Sequence, residues 1–186
     1  MNIICKNNND ITREELNELY DIYLDNIPRE AKVDDHYKFI MDEDYRNKWI
    51  NEIINEPNLL CCKYYNEKEL IGYIIIFLKE KENYIREFEI ISKYQNDGTT
   101  FKEMVKLALP FTNIQNNYTG KILHYNIDAK SAFRSLGALP KDGKYFASYD
   151  TINKMMNTVI ENQYKQRPAD VKRIKEIREA KEKSKD

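Results

Sequence analysis

Glu87-Phe88-Glu89-Ile90-Ile91-Ser92-Lys93-Tyr94-Gln95-Asn96-Asp97-Gly98-Thr99-Thr100 is the stretch on which the fold turns. An apolar strand, expected over Tyr84–Ser92, enters a polar loop over Gln95–Thr100, and a helix over Phe101–Leu109 begins at once and is closed by Pro110. The first N–H groups of a helix have no internal partners, and the aligned peptide dipoles add positive potential there. Such a terminus cradles a phosphate or pyrophosphate, and Gly98 lets the backbone come close to it. An ordinary β–α turn would be written in similar residues, so this loop alone does not decide function.

Downstream, a strand expected over Gly120–Tyr125 leads into Asn126-Ile127-Asp128-Ala129-Lys130-Ser131-Ala132-Phe133-Arg134-Ser135-Leu136-Gly137-Ala138. It reads as a short helix over Asp128–Leu136 stopped by Gly137. Upstream, Leu59–Tyr65, Leu70–Leu78 and Tyr84–Ser92 are strand-like runs separated by turns, the pattern of an antiparallel meander. Before them come a strand at Asn2–Lys6 and a helix opened by a Thr12/Glu15 capping box with an Ile11–Leu16 staple, ending at Pro28. A second helical stretch spans about Asp35–Asn55, with a break near Met41–Asp44 and Tyr37, Tyr45 and Trp49 on its apolar side. Tyr145–Tyr149 is the last strand expected.

Taken together, the two quoted stretches resemble the GCN5-related N-acetyltransferase (GNAT) family. Its pyrophosphate loop reads Gln/Arg-x-x-Gly-x-Gly/Ala, matched here by Gln95 to Thr100, with Asp97 where Lys or Arg is common and Thr100 in place of the small residue. Its second segment reads Asn-x-x-Ala-x-x-Leu/Phe-Tyr-x-x-x-Gly-Phe, and Asn126, Ala129 and Gly137 hold that register. Phe133 stands where the family often carries a Tyr that protonates the departing thiolate. The resemblance covers roughly residues 1–150.

It implies an α/β fold, a twisted, mixed and mostly antiparallel sheet flanked by helices, splayed where the strands at 84–92 and 120–125 part. It implies acetyl-CoA as cosubstrate in that cleft, direct transfer of acetyl to a primary amine, and no metal. Cofactor contacts then fall to Ile90, Ile91, Gln95, Asn96, Asp97, Gly98, Thr99, Thr100, Asn126, Ser131 and Phe133, with the pantetheine arm paired to backbone near Ile90 to Ser92. An ammonium must lose a proton before it attacks, and Glu87 and Glu89, at i and i+2 on one strand face, are the candidate bases, with His124 the alternative. The competing readings are two ordinary strand-edge acids and a structural histidine. Because Phe133 has no proton to give, an acyl-CoA sensor without turnover is the alternative function. An adaptor working through a basic tail is a third.

The chain has 186 residues and a net charge of −1, which gives no electrostatic case for nucleic acid. One domain is expected over 1–164, with a charged helical or partly disordered extension over 165–186 that carries nine basic and five acidic residues. Residues Asp10 to Glu56 hold fourteen acidic and six basic residues. By resemblance the first two helices wall the acceptor groove, so Asp25, Glu30, Asp34, Asp35, Asp42, Glu43 and Asp44 would attract a cationic amine, unless they are simply a solvated helix face. The three cysteines, Cys5, Cys61 and Cys62, are odd in number and lack metal spacing, which argues against a disulfide framework and for a reducing cytoplasm. Cys61 and Cys62 point to opposite strand faces, so one thiol is expected to be buried. No membrane span is expected, and a homodimer is one assembly the sequence leaves open.

Overall fold

The apolar run of β3 (Glu69–Leu78) sets the architecture, because Ile74 and Ile76 are buried on one face and Tyr73, Ile75 and Phe77 on the other. A strand covered on both faces needs a layer of helices on each side. The computed structural model describes residues 1–27, 32, 35, 38–95, 99–122 and 126–156. In them, β1 (Asn2–Lys6), β2 (Leu59–Asn66), β3, β4 (Glu82–Ile90), β5 (Asn117–Gly120), β6 (Leu139–Lys141) and β7 (Lys144–Ala147) form one sheet in the order β1-β2-β3-β4-β5-β7-β6. Every neighbouring pair is antiparallel except β4–β5, which is parallel. The extension over 165–186 lies outside the described residues.

Helices α1 (Arg13–Asn26) and α2 (Glu43–Ile54) cover one face. The capping box forms as expected: Glu15 N donates to Thr12 Oγ1 at 3.2 Å, and Thr12 N donates back to Glu15 Oε2 at 3.1 Å. Trp49 meets Tyr20 edge-on, with ring centroids 5.2 Å apart, in a core that includes Ile53, Tyr73 and Ile75. The expected break in the second helical stretch is present, since Lys38–Met41 is a separate 3₁₀ turn ahead of α2. Tyr45 packs against this core and Trp49 lies inside it, whereas Tyr37 is outside the described residues. On the other face, α3 (Thr100–Ala108) places Met104 and Ala108 on Leu60, Tyr64, Ile74 and Ile76. Helix α4 (Ile127–Ser135) packs Phe133 beside Val105, Tyr118 and Tyr145.

Several expectations need correction. The strand expected over Tyr84–Ser92 begins two residues earlier, at Glu82, and stops at Ile90, and Ser92–Tyr94 form a 3₁₀ turn. Of the strand expected over Gly120–Tyr125, Gly120 is the last residue of β5 (Asn117–Gly120), Lys121 and Ile122 follow it without strand pairing, and 123–125 lie outside the described residues. Asn and Gly are poor strand formers, but β5 has a ladder on each side, with β4 from Glu82↔Asn117 to Ile85↔Gly120 and with β7. The last strand is Lys144–Ala147 and has an unexpected partner, β6. Asp142 (φ 50°) and Gly143 (φ 75°) join the two in a turn whose twist suits a hairpin. Gly137 does end α4: at φ 78° its N–H reaches Arg134 O at 2.9 Å and that of Ala138 reaches Phe133 O at 3.1 Å.

The odd cysteine count does not keep the chain free of a disulfide. Antiparallel register sets Cys5 opposite Cys62, with Cα atoms 4.1 Å apart, and the two are disulfide-bonded. Cys61, on the opposite face, is the buried free thiol, and burial pushes it up to about 12. Among the described residues no helix is long and apolar enough to cross a membrane.

Candidate active site

An extra residue in β4 opens the sheet. Ile76 pairs with Ile85, but the next β3 residue, Ile75, pairs with Glu87, so Arg86 is bulged out of the ladder. The β4–β5 pairing ends at the same level, at Ile85↔Gly120. Beyond it lies a cleft of about 90 Å³ lined by Tyr23 and Asn26 of α1, Arg86 to Glu89 of β4, Gly120 to Ile122, and Asn126, Ala129 and Phe133 at α4.

The bulge sends Arg86 and Glu87 to the α1/α2 side, followed by Glu89. Arg86 holds Glu52 of α2 through two bonds, Nε to Oε1 at 3.1 Å and Nη2 to Oε2 at 3.2 Å, and also donates to Glu87. Trp49 Nε1 donates to Glu87 at 3.1 Å. Burial raises the Glu87 carboxyl above its ordinary range, against the opposing pull of Arg86 and the Trp49 bond. Burial and the neighbouring charge of Glu87 push Glu89 up to about 8, opposed only by a hydrogen bond from Asn26. Directly opposite Glu89, on β3, stands Tyr73, whose buried hydroxyl has no hydrogen-bond partner among the described residues.

Asn26 and Gln95 were not expected to meet. Asn26 Nδ2 donates to Glu89 Oε2 at 2.5 Å and to Ile90 O at 3.0 Å. Gln95 Nε2 donates to the same carbonyl at 2.7 Å and to Asn26 Oδ1 at 3.0 Å. One amide chain thus ties the end of α1 to the end of β4 and the start of the loop that follows. Ile91 N donates to Ile71 O at 2.8 Å, which turns the Ile90 carbonyl outward, away from β3. By strand alternation the outward groups on this side belong to Phe88 and Ile90.

Of the residues singled out in sequence, Glu87, Glu89, Asn126 and Phe133 line the cleft. Asn126 also caps α4, its Oδ1 accepting from Ala129 N at 2.9 Å. Phe133 is almost fully buried between Phe101 and Tyr145, with centroids at 6.2 and 6.3 Å. Thr99 and Thr100 open α3, whereas Ser131 is exposed on α4 outside the cleft lining. Asn96, Asp97, Gly98 and His124 lie outside the described residues, as do Glu30 and Asp34 of the acidic group. Its described members, Asp25, Asp35, Asp42, Glu43 and Asp44, are exposed, and none lines the cleft. Sequence reasoning missed Tyr23, Asn26 and Arg86. Asn26 closes a helix and Arg86 interrupts an alternating strand, and a break of pattern is the one signal each carried.

No protein-family model matches the sequence, and no curated protein matches it. Solved structures do resemble the fold. PaiA N-acetyltransferase from Thermoplasma acidophilum, in complex with coenzyme A, superposes with a TM-score of 0.54 at 14% identity, over 78% of this chain and 97% of that one. An acetyltransferase from Thermus thermophilus gives 0.55 at 13% identity, over 79% and 97%. An N-acetyltransferase from Staphylococcus aureus gives 0.52 at 12% identity, over 80% and 99%. The order of elements, the bulged fourth strand and the parting of β4 from β5 give this chain the GCN5-related N-acetyltransferase fold.

Proposed function

We propose that the protein is an N-acetyltransferase that moves an acetyl group from acetyl-CoA to a primary amine, taking up cationic amines in particular. The observation that carries this reading is the pair Glu87 and Glu89, held in the cleft where β4 leaves β5. A base with a pKa near 8 is matched to removing a proton from an ammonium group near neutral pH, and Glu89 is such a base. Two acids and an aromatic residue, Tyr23, lining one cleft also suit a cationic acceptor.

Each step has a group on this chain. The proton of the bound ammonium passes to Glu89. The freed nitrogen attacks the thioester carbon, a C–N bond forms and the C–S bond breaks. The outward N–H groups of Phe88 and Ile90 are the donors available to hold the developing oxyanion and the pantetheine arm. The Ile90 carbonyl is already occupied by Asn26 and Gln95, which narrows the expected pairing to those N–H groups. The adduct at the attacked carbon then loses the second proton of the nitrogen, which passes through water to the departing thiolate. A neutral amide and the thiol of CoA result without a side-chain acid, since Phe133 has no proton to give. The N-terminus of α3, opened by Thr99 and Thr100, is the group on this chain suited to hold the pyrophosphate.

Phe133 favours a second reading, an acyl-CoA sensor of the same fold. One experiment separates the two: thiol release from acetyl-CoA with alkylamines, polyamines and a lysine peptide, alongside thermal unfolding with CoA. A ligand at a hundred times its dissociation constant adds about 2.7 kcal/mol, or roughly 5–10 °C for a chain of this size. Stabilisation with thiol release supports the enzyme, and stabilisation without release across the panel supports the sensor. Neither effect would overturn both readings.

A further inference from the structure

Behind the cleft is a second cavity, of about 30 Å³, walled by Val105 of α3, Leu109 and Leu136 just past the ends of α3 and α4, and Tyr118 and Ala147 of the sheet. The two spaces share three lining residues, Ile85, Phe88 and Phe133, so these side chains form the partition between them. The lining carries almost no polar surface. Its Thr112 hydroxyl donates to Leu109 O at 2.7 Å and pairs with the Tyr118 hydroxyl, so neither asks for water. An apolar cavity of this kind stays dry and takes hydrocarbon.

We infer that the site accepts acyl thioesters longer than acetyl, with the tail of a propionyl or butyryl group passing Phe133 into this cavity. The inference rests on reading the cleft as an acyl-CoA site. Phe133 is the link: it occupies the register that meets the thioester in the family resemblance, and its ring closes both spaces. Gly120 backs this partition closely, since a Cβ there would lie 3.5 Å from Phe133 Cε1 and only 3.3 Å from Ile85 O, so a side chain at 120 would crowd the partition. Size sets the chain length. One water-sized group needs about 10–15 Å³, so the cavity holds on the order of two methylene-sized groups. A butyryl tail fits and an octanoyl tail does not.

The test is a ladder of CoA, acetyl-, propionyl-, butyryl- and octanoyl-CoA, read by calorimetric titration and by kcat/KM with one amine. Moving a methylene out of water is worth about fourfold in affinity. Affinity is expected to climb by about that factor per carbon from acetyl to butyryl and to fall at octanoyl. Val105→Phe and Ala147→Leu fill the cavity from two walls without touching the cleft. Each should flatten the ladder to acetyl while CoA binds as before. A wild-type protein that binds butyryl-CoA no better than acetyl-CoA overturns the inference, as does a ladder that survives in a folded, CoA-binding variant. If CoA itself does not bind, the acyl-CoA reading fails first and takes the inference with it. If neither variant folds, the wild-type ladder decides alone.

Discussion

Asn26 Nδ2 donates to Glu89 Oε2 at 2.5 Å, joining the last turn of α1 to the carboxyl proposed as the base. The bond favours the ionised form of Glu89 and works against burial. Asn26→Ala should therefore move the Glu89 titration further up. A hydrogen bond to a charged group is worth roughly 1.5–3 kcal/mol, or about one to two pH units. The rising, acid-side limb of the pH–rate profile, where Glu89 loses its proton, is expected to shift to higher pH by about that amount. An unmoved limb would mean that Glu89 is not the group being titrated.

Glu89→Gln keeps the shape and the bond from Asn26 but removes the charge. Acetyl transfer should drop by roughly 10²- to 10⁴-fold. Stability gives an independent readout. The carboxyl titrates near 4.5 when unfolded and at about 8 when folded, so between those values the folded chain binds more protons. The wild-type protein must therefore lose stability as pH rises from about 4.5 to 8, by a few kcal/mol in all. Denaturant melts across this range should slope downward for the wild type and lie flatter for the variant, which should be the more stable at pH 9.

Phe133→Tyr places a hydroxyl on a ring already set between Phe101 and Tyr145. If the thiolate leaves unassisted in the wild type, turnover should rise by up to about a hundredfold, with little change in CoA affinity. Tight CoA binding in both forms, with transfer in neither, would favour the sensor.

Glu15 governs the acid side of stability. Burial pushes its carboxyl up, but Lys6 and Lys63 outweigh that and hold it at about 2. Below about 4.5 the unfolded chain takes up the proton first, so this stabilisation drains away as pH falls from there to about 2. Glu15→Gln retains an acceptor for the cap. It should lower stability at pH 7 by about 2–3 kcal/mol and flatten the acid limb of a pH-dependent melt.

Local signals were the ones the sequence stated openly. The Thr12/Glu15 box, the Gly137 stop, the β2–β3–β4 meander and the same-face pair Glu87 and Glu89 depend on neighbours close in the chain. What stayed hidden depends on partners far away. Asn117 to Gly120 is a strand because β4 and β7 flank it, despite its composition. Cys5 meets Cys62 through strand register, which cysteine counting cannot see. Asn26 reads as one more polar residue at a helix end, and only the fold brings it to Glu89. The Asp142-Gly143 hairpin also went unread, because its first strand, β6, is three exposed residues with a proline among them, too little for a period to show.

The bulge at Arg86 carries a consequence for how such a site could arise. Deleting that single residue would leave Ile85 opposite Ile76 and Glu87 opposite Ile75 in an unbroken ladder, with every later side chain on the face it now occupies. The sheet would then be free to continue its pairing past Gly120 and seal itself. An open cleft and a closed sheet are thus separated by one codon, and an insertion can be gained or lost whole but never by halves.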